Sequence, residues 1–330
     1  MLLGRVVKIE LVRLIAVVSL FVFGTAVNAT SNTLGEYNLI LIEDYNLQGG
    51  DVQGRAFIGG DLNGGVAEFG SRLANTDQAI DAVSIVGSVN AQRVRVLNDN
   101  NVVYAQTLSQ GRTPESVFEL NDGDDGRAIF DPSLSISDIA AELYADSAYF
   151  ESLNTSNQFD FGSFNSNTGA LSYSGNDSSV VFDLEASDIF SNNTNINANI
   201  NFGALDAVII NVGGTDINVG GGVNVNGFGN SLNQNLGTTN VIWNFYEATS
   251  INFNNIAVAG AVLAPYADVT GGAVFDGAFA ALSYTGAREF HNFVFNFDTP
   301  VTDVSAPGAT LIFMSALFYL VRVRKPYRQS

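Results

Sequence analysis

The amino-acid sequence predicts a mainly β fold, a parallel β-helix (β-solenoid) with one α-helix alongside. Short β-branched or aromatic runs recur along the chain, each bounded by Gly, Asn, Asp or Ser, and helical stretches rich in Lys, Glu and Ala are almost absent. Three Gly-rich segments, 49–70, 213–230 and 259–282, favour a solenoid over a sandwich, because short strands alternate there with polar corners.

The strand prediction rests on runs that combine apolar residues with turn residues at their ends. In a β-helix the apolar side chains of such runs point inward, while Asn and Gly suit the corners because they tolerate positive φ. The runs are 37–45, 55–62, 82–90, 204–214, 240–248 and 257–265.

The single predicted helix covers residues 132–153. Ser135 or Ser137 is the expected cap of its first turn, and Ile139, Leu143 and Phe150 recur near helical spacing. We therefore expect one amphipathic helix, after which residues 165–187 return to strands.

The two ends of the chain predict export. Residues 1–29 have a basic start, an apolar stretch and a small-residue cleavage site, as in a signal peptide. An uncleaved membrane anchor is the alternative. Near the other end, a helix over the apolar run 308–321 would cover roughly 21 Å of a hydrocarbon core about 30 Å thick, which is marginal for a permanent span.

The region between the ends is strongly acidic. The whole chain has a formal charge of −19. The two ends hold seven basic residues and one acid, so residues 30–303 alone have a formal charge of −25, and they contain no Lys. Such a charge repels nucleic acid and anionic membranes and attracts cations, so no nucleic-acid partner is expected. The chain has no Cys, which excludes disulfides and thiol chemistry.

Two sequence blocks resemble a known bacterial family. The stretch 37–62 (YNLILIEDYNLQGGDVQGRAFIGGDL) is similar to the opening of the choice-of-anchor A domain, with its D-V-x-G-R-x-x-x-G-G-D block. The stretch 240–295 resembles its second block, in which N-F-Y-E-A-T leads to G-x-x-L-A-P and a terminal E-F-H-N. Together the blocks bracket most of the region between the two ends.

The last residues resemble a PEP-CTERM sorting signal. A Pro-containing motif, an apolar run and a basic end follow one another, although the motif is V-S-A-P instead of Pro-Glu-Pro. The basic end fits the positive-inside rule. The residues of this signal are Val304, Ser305, Ala306, Pro307, Arg322, Arg324 and Lys325.

The resemblance implies a fold, a domain organisation and a processing route. The fold is a right-handed β-helix with the helix of 135–153 lying alongside. The domains are a signal peptide (1–29), the choice-of-anchor A domain (30–303) and the sorting signal (304–330). An exosortase-type enzyme would cut this signal after a transient inner-membrane stage, with a plain membrane anchor as the alternative. The implied location is the cell surface or the extracellular matrix.

The sequence offers few candidate groups for chemistry. His291 is the single histidine, no G-x-S-x-G motif is present, and we interpret His291 as a structural residue of a non-enzyme. Asp122, Asp124 and Asp125 form a Gly-rich acidic loop that suits Ca²⁺, so calcium is the one candidate cofactor. A solvated acidic turn is the alternative, since no Glu stands at the twelfth loop position.

Aromatic residues are interpreted mainly as core. The phenylalanines of 159–164 and 290–297 alternate at strand spacing, and Trp243 lies in an apolar run. An exposed aromatic stripe for carbohydrate is the alternative.

The predicted function is that of an exported, non-catalytic surface or matrix protein in adhesion or biofilm matrix, with an extracellular polysaccharide or surface ligand as partner. Ice binding and a polysaccharide-active β-helix enzyme are the alternatives. No T-x-T ladder is visible for ice.

Overall fold

The computed structural model describes residues 30–31, 33–75, 79–109, 111–121, 123–156, 160–161, 168–228, 237–297 and 299–300. Ser31–Thr299 form one compact unit. The predicted signal peptide 1–29 and sorting signal 304–330 lie outside the described residues. Within the described part of the chain, no helix is long and apolar enough to cross a membrane.

The largest sheet has fourteen strands, and every pairing in it is parallel. Its main path, given in spatial order with strands numbered along the chain, is β12 (Ala128–Phe130), β10 (Asn101–Tyr104), β8 (Asp81–Ile85), β5 (Ala56–Ile58), β2 (Leu39–Leu41), β25 (Phe279–Ala287), β23 (Ala261–Thr270), β20 (Val241–Asn244), β17 (Ala207–Gly213) and β15 (Ser179–Glu185).

A branch of the same sheet lies on both sides of the carboxyl-terminal parts of the long strands β23 and β25. It consists of β18 (Asp216–Asn218), β21 (Ser250–Asn252), β3 (Tyr45–Gly49) and β6 (Leu62–Gly64), with β21 pairing with β23 and β3 pairing with β25. This branch positions the candidate site described below.

Two smaller sheets and two end strands complete the β structure. The seven-stranded sheet is parallel, whereas the four-stranded sheet contains one antiparallel pair, β13 with β14. The seven-stranded sheet comprises β11 (Phe118–Leu120), β9 (Arg93–Val96), β7 (Val66–Phe69), β4 (Asp51–Val52), β26 (Glu289–His291), β24 (Val274–Asp276) and β22 (Val258–Ala259). The four-stranded sheet comprises β13 (Asp160–Phe161), β14 (Thr168–Tyr173), β16 (Asn195–Ile200) and β19 (Asn224–Asn226). The two end strands are β1 (Thr30–Ser31) and β27 (Thr299–Pro300).

One long helix accompanies the sheets, together with several single turns. The helices are α1 (Thr33–Glu36), α2 (Pro114–Val117), α3 (Ser137–Ser152), α4 (Ala186–Ile189) and α5 (Gly237–Asn240), with a 3₁₀ turn at Phe202–Ala204. Helix α3 confirms the helix predicted over 132–153. The predicted cap is wrong, because Ile136 occupies the N-cap position and makes no side-chain cap bond, while the Ser135 hydroxyl accepts a bond from the Ser137 amide at 3.2 Å.

The central strands of the main sheet path are buried on both faces. Alternate residues of β2, β17 and β20 pack into the large core between the sheets, while Ile40, Ile209 and Ile242 pack with Leu143 and Phe150 of α3 in a second core. Burial on both faces explains why these strands read as continuous apolar runs. The mainly β class with parallel sheets is confirmed.

Candidate functional site

Seven tripeptides that the strand pairing brings together share one pattern: Asp or Ser, then an apolar residue, then Asn or Thr. In chain order they are 44–46 (DYN), 61–63 (DLN), 88–90 (SVN), 216–218 (DIN), 250–252 (SIN), 268–270 (DVT) and 283–285 (SYT).

The branch of the large sheet brings these tripeptides side by side in parallel register. Asp216 pairs with Ser250, which pairs with Asp268, which in turn pairs with Ser283. Beyond them Tyr284 pairs with Tyr45, Tyr45 with Leu62, and Leu62 with Val89. The spatial order is therefore 216–218, 250–252, 268–270, 283–285, 44–46, 61–63 and 88–90.

The middle residue of every tripeptide points into the core. All seven are at most 4% exposed: Tyr45, Leu62, Val89, Ile217, Ile251, Val269 and Tyr284. Because successive side chains of a strand point to opposite faces, the first and third residues point outward. These fourteen outward residues are here called the polar face.

The polar face consists of two rows that run across the strands. Neighbouring residues in a row are one strand spacing apart, about 4.8 Å, and the two rows are about 6.6 Å apart along the strands. Row one is Asp216, Ser250, Asp268, Ser283, Asp44, Asp61 and Ser88, and row two is Asn218, Asn252, Thr270, Thr285, Asn46, Asn63 and Asn90.

Hydrogen bonds between neighbours order four of the seven residues of row two. The Asn90 amide donates to the Asn63 side-chain oxygen at 2.9 Å, and the Asn63 amide donates to the Asn46 side-chain oxygen at 3.0 Å. The Asn46 amide then donates to the Thr285 hydroxyl at 3.2 Å. The side-chain amides of Asn46, Asn63 and Asn90 are thus held in one orientation before any ligand arrives, which lowers the entropy cost of binding.

Row one is tied to the backbone of the next strand. The Asp44 carboxylate accepts the Asp61 amide, and the Asp61 carboxylate accepts the Ser88 amide, both at 2.7 Å. The Ser283 hydroxyl donates to the Asp268 carboxylate at 2.6 Å. The row therefore presents fixed hydrogen-bond acceptors and negative charge.

Arg112 closes one end of the polar face. Its guanidinium donates to the carbonyl oxygens of Val89 and Ala91, both at 2.6 Å. These carbonyls belong to the last tripeptide and the residue after it, whose outer edge would otherwise offer free acceptors to another strand.

The motif residues of the two resemblance blocks have structural roles. A side chain at Gly59 would overlap the Ile42 carbonyl, so only glycine fits the close approach that precedes Asp61. Asn244 of the second block is fully buried. Arg55 lies 3.9 Å from the Glu36 carboxylate, and Asp51 accepts a bond from Ser71 at 3.0 Å.

His291 lies between two carboxylates. Its Nδ1 is 2.5 Å from Asp276, whose side chain is 3% exposed, and its Nε2 is 3.2 Å from Glu289. The three residues lie on the adjacent strands β24 and β26, in which Asp276 and His291 are register partners. This arrangement links two strands through a side-chain bond, as expected of a structural histidine.

The predicted calcium loop is only partly described. Asp122 lies outside the described residues, and Asp124 and Asp125 are exposed. The loop is held by buried Asp99, whose carboxylate accepts the amides of Asp125 and Gly126 at 2.8 Å. Among the residues that the structure describes, no three His, Asp or Glu side chains are grouped as metal ligands. Calcium binding here stays a prediction.

The core interpretation of the aromatic residues is confirmed for Trp243, Phe290 and Phe295, whereas Phe293 and Phe297 are half-buried. Trp243 is 2% exposed and donates its indole N–H to the Ala259 carbonyl at 3.0 Å. Phe290 and Phe295 are buried. Residues 159 and 162–164 lie outside the described residues.

Sequence reasoning missed the polar face. The repeated tripeptide was a visible signal, but successive copies begin from 15 to 128 residues apart, so no fixed period marks them. Only the strand pairing shows that copies 44–46 and 283–285 are neighbours.

The chain matches a known protein family. A family model described as "Putative Ice-binding-like adhesive domain" matches residues 30–292. No curated protein and no solved structure matches the chain.

Proposed function

The chain belongs to the ice-binding-like adhesive domain family, and from this premise we propose that it is a non-catalytic adhesin of the cell surface or extracellular matrix. The polar face carries the proposal. It is a regular array of hydrogen-bonding groups, and such an array suits a repetitive, hydroxyl-rich surface or polymer better than a single small molecule.

The proposed architecture behind this face is a right-handed β-helix with α3 alongside. The alternation of strands between sheets supports it, since β2, β3, β4 and β5 follow one another along the chain but belong to different sheets or different parts of one sheet. The parallel pairing of almost every strand also supports it.

Export and sorting belong to the same proposal. Residues 1–29 would direct export, and residues 304–330 would hold the chain briefly in the inner membrane until an exosortase-type enzyme cuts it. The choice-of-anchor A and PEP-CTERM resemblances support this route. An extracellular polysaccharide or surface ligand is the proposed partner, and Ca²⁺ bound by Asp122, Asp124 and Asp125 is a proposed accessory ion.

Ice binding is the second candidate, favoured by the even spacing of the two rows and by the family description. Row one argues against it, because four of its seven residues are Asp, and carboxylates hold liquid-like hydration water strongly. Thermal hysteresis in the purified chain would favour ice as the ligand.

The test obstructs the polar face without touching the core. In Thr270→Tyr, a bulky ring replaces an exposed residue at the third of the seven positions of row two, whereas Asn226→Tyr adds the same ring on exposed β19 as the control. Each full chain is co-sedimented with the producer's extracellular polysaccharide, with and without Ca²⁺.

We expect saturable binding by the wild type and by Asn226→Tyr, and about tenfold weaker binding by Thr270→Tyr. Equal binding by all three chains would show that the polar face is not the adhesive surface. If polysaccharide binding requires Ca²⁺, the acidic loop of Asp122, Asp124 and Asp125 would have a role in that binding.

A further inference from the structure

Strand β23 carries an exposed tyrosine beside the polar face. Ala264 pairs with Ala281 and Asp268 with Ser283, so three residues of β23 lie opposite one residue of β25 and form a β-bulge. Tyr266 lies in this bulge and is 45% exposed. Residues 266, 268 and 270 are exposed and the residues between them are buried, so Tyr266 points outward with Asp268 of row one.

A second tyrosine, from helix α3, stacks on the first. The ring centroids of Tyr144 and Tyr266 are 4.8 Å apart, and the ring planes differ by 28°. The pair therefore forms an aromatic surface at the border of row one, with one ring supplied by the helix and one by the sheet.

Among the described residues, the other exposed large hydrophobic side chains lie elsewhere: Val66, Ile80, Ile129 and Phe130. The tyrosine pair thus joins an aromatic surface to ordered hydrogen-bonding rows.

We propose that Tyr144 and Tyr266 form a stacking platform for sugar rings, and that the polar face and this platform together bind an uncharged polysaccharide. The inference rests on the proposed adhesive function and specifies its ligand. The face of an aromatic ring is electron-rich and attracts the polarised C–H groups on one face of a sugar ring. The sugar hydroxyls then exchange hydrogen bonds with rows one and two.

Charge selects an uncharged polymer over an anionic one. Row one contains Asp44, Asp61, Asp216 and Asp268, and neither row contains Lys or Arg. An anionic polysaccharide lying along these rows would meet like charges at close range, and no residue of either row supplies a compensating cation, which is unfavourable.

The experiment uses two polymer backbones, each in an uncharged and an anionic form. The probes are hydroxyethyl cellulose with carboxymethyl cellulose, and dextran with carboxymethyl dextran. The full chain, purified in a sugar-free polyoxyethylene detergent, is immobilised and its Kd for each polymer is measured by biolayer interferometry. Tyr266→Ala removes the ring, Tyr266→Phe keeps it, and Phe130→Ala removes an exposed ring on β12 as the matched control.

We expect an uncharged polymer to bind more tightly than its anionic form. We also expect Tyr266→Ala to weaken this binding about tenfold, while Tyr266→Phe and Phe130→Ala bind like the wild type. Unchanged melting temperatures exclude misfolding as the cause.

Several results would overturn the inference: tighter binding of the anionic forms, wild-type binding by Tyr266→Ala, or binding to neither uncharged polymer. If Tyr266→Ala still adheres to the producer's polysaccharide but Thr270→Tyr does not, the inference fails and the proposed function stands. If Thr270→Tyr also adheres normally, the proposed function fails as well.

Discussion

At the scale of single residues, two buried tyrosines beneath the polar face differ in one hydrogen bond. Tyr284 donates its hydroxyl to the Gly271 carbonyl at 2.8 Å. The hydroxyl of neighbouring Tyr45, whose ring centroid is 5.9 Å away, has no partner among the described residues. Burial raises the pKa of both phenols well above the ordinary value of 10.0, because the ionised form would lose its hydration.

We predict that Tyr45→Phe leaves the free energy of unfolding unchanged or raises it by about 1 kcal/mol, since it removes an unpaired buried hydroxyl. Tyr284→Phe should lower it by about 1 kcal/mol, because a hydrogen bond is lost. Because each pKa is raised in the folded state, the stability linked to each phenol is present below pH 10 and is lost as the pH rises further. Each variant should therefore lose less stability than the wild type between about pH 9 and pH 11.

Urea unfolding at neutral and alkaline pH measures both effects, and the two variants serve as controls for each other. Equal destabilisation at neutral pH by both substitutions would contradict the assignment of an unpaired Tyr45 hydroxyl.

At the scale of elements, helix α3 is attached to the sheet by a buried polar network as well as by apolar packing. The Asn244 amide donates to the Ser147 carbonyl and to the Asn211 side-chain oxygen, both at 2.9 Å, and the Ser147 hydroxyl donates to Asn244 at 2.7 Å. The Asn211 amide donates to the Phe150 carbonyl at 2.8 Å. These bonds fix the helix in one position along β17 and β20.

We predict that Asn244→Ala lowers the free energy of unfolding by about 3 kcal/mol, because three buried groups lose their partner together. The control Asn226→Ala, on exposed β19, should change it by less than about 0.5 kcal/mol. Thermal or urea unfolding followed by circular dichroism gives both values. A loss of similar size in the two variants would refute a special role for the buried network.

At the scale of the whole molecule, the early and late parts of the chain meet in the middle of the large sheet. Strand β2 pairs with β25, so Leu39 lies beside Phe279. Asn38, which is fully buried, donates to the carbonyls of Gly277 at 3.2 Å and His291 at 2.9 Å and accepts the Gly54 amide at 3.0 Å. The large sheet is therefore complete only when nearly the whole chain has been synthesised, because β2 needs β25 as its neighbour.

We predict that a chain ending at Gly277, which lacks β25 and β26, has no cooperative thermal transition, because β2 and β23 both lose a partner and expose buried surface. Adding a peptide of residues 278–297 should restore the transition. Circular dichroism during heating measures both. A cooperative transition in the shortened chain alone would show that the halves fold independently.

The extent of successful sequence prediction differs between features. The apolar run 204–214 was recognised because burial on both faces leaves a continuous apolar signature, and the helix of 132–153 was recognised by its spacing. Boundaries were less accurate: the run 37–45 divides into β2 and the start of β3, because a corner lies at Ile42–Asp44. The calcium prediction at Asp124 and Asp125 rested on composition alone, which does not specify where carboxylates point.

By itself the sequence determined the mainly β class, the single long helix, the buried state of Trp243 and a strongly acidic surface. These properties depend on local periodicity and composition, which act over a few residues. Only the tertiary structure decided that seven tripeptides scattered from residue 44 to residue 285 form one polar face, that β2 lies beside β25, and that Tyr144 meets Tyr266. These are pairings between distant segments, and their register is set by how whole strands pack together, which no short window of sequence contains.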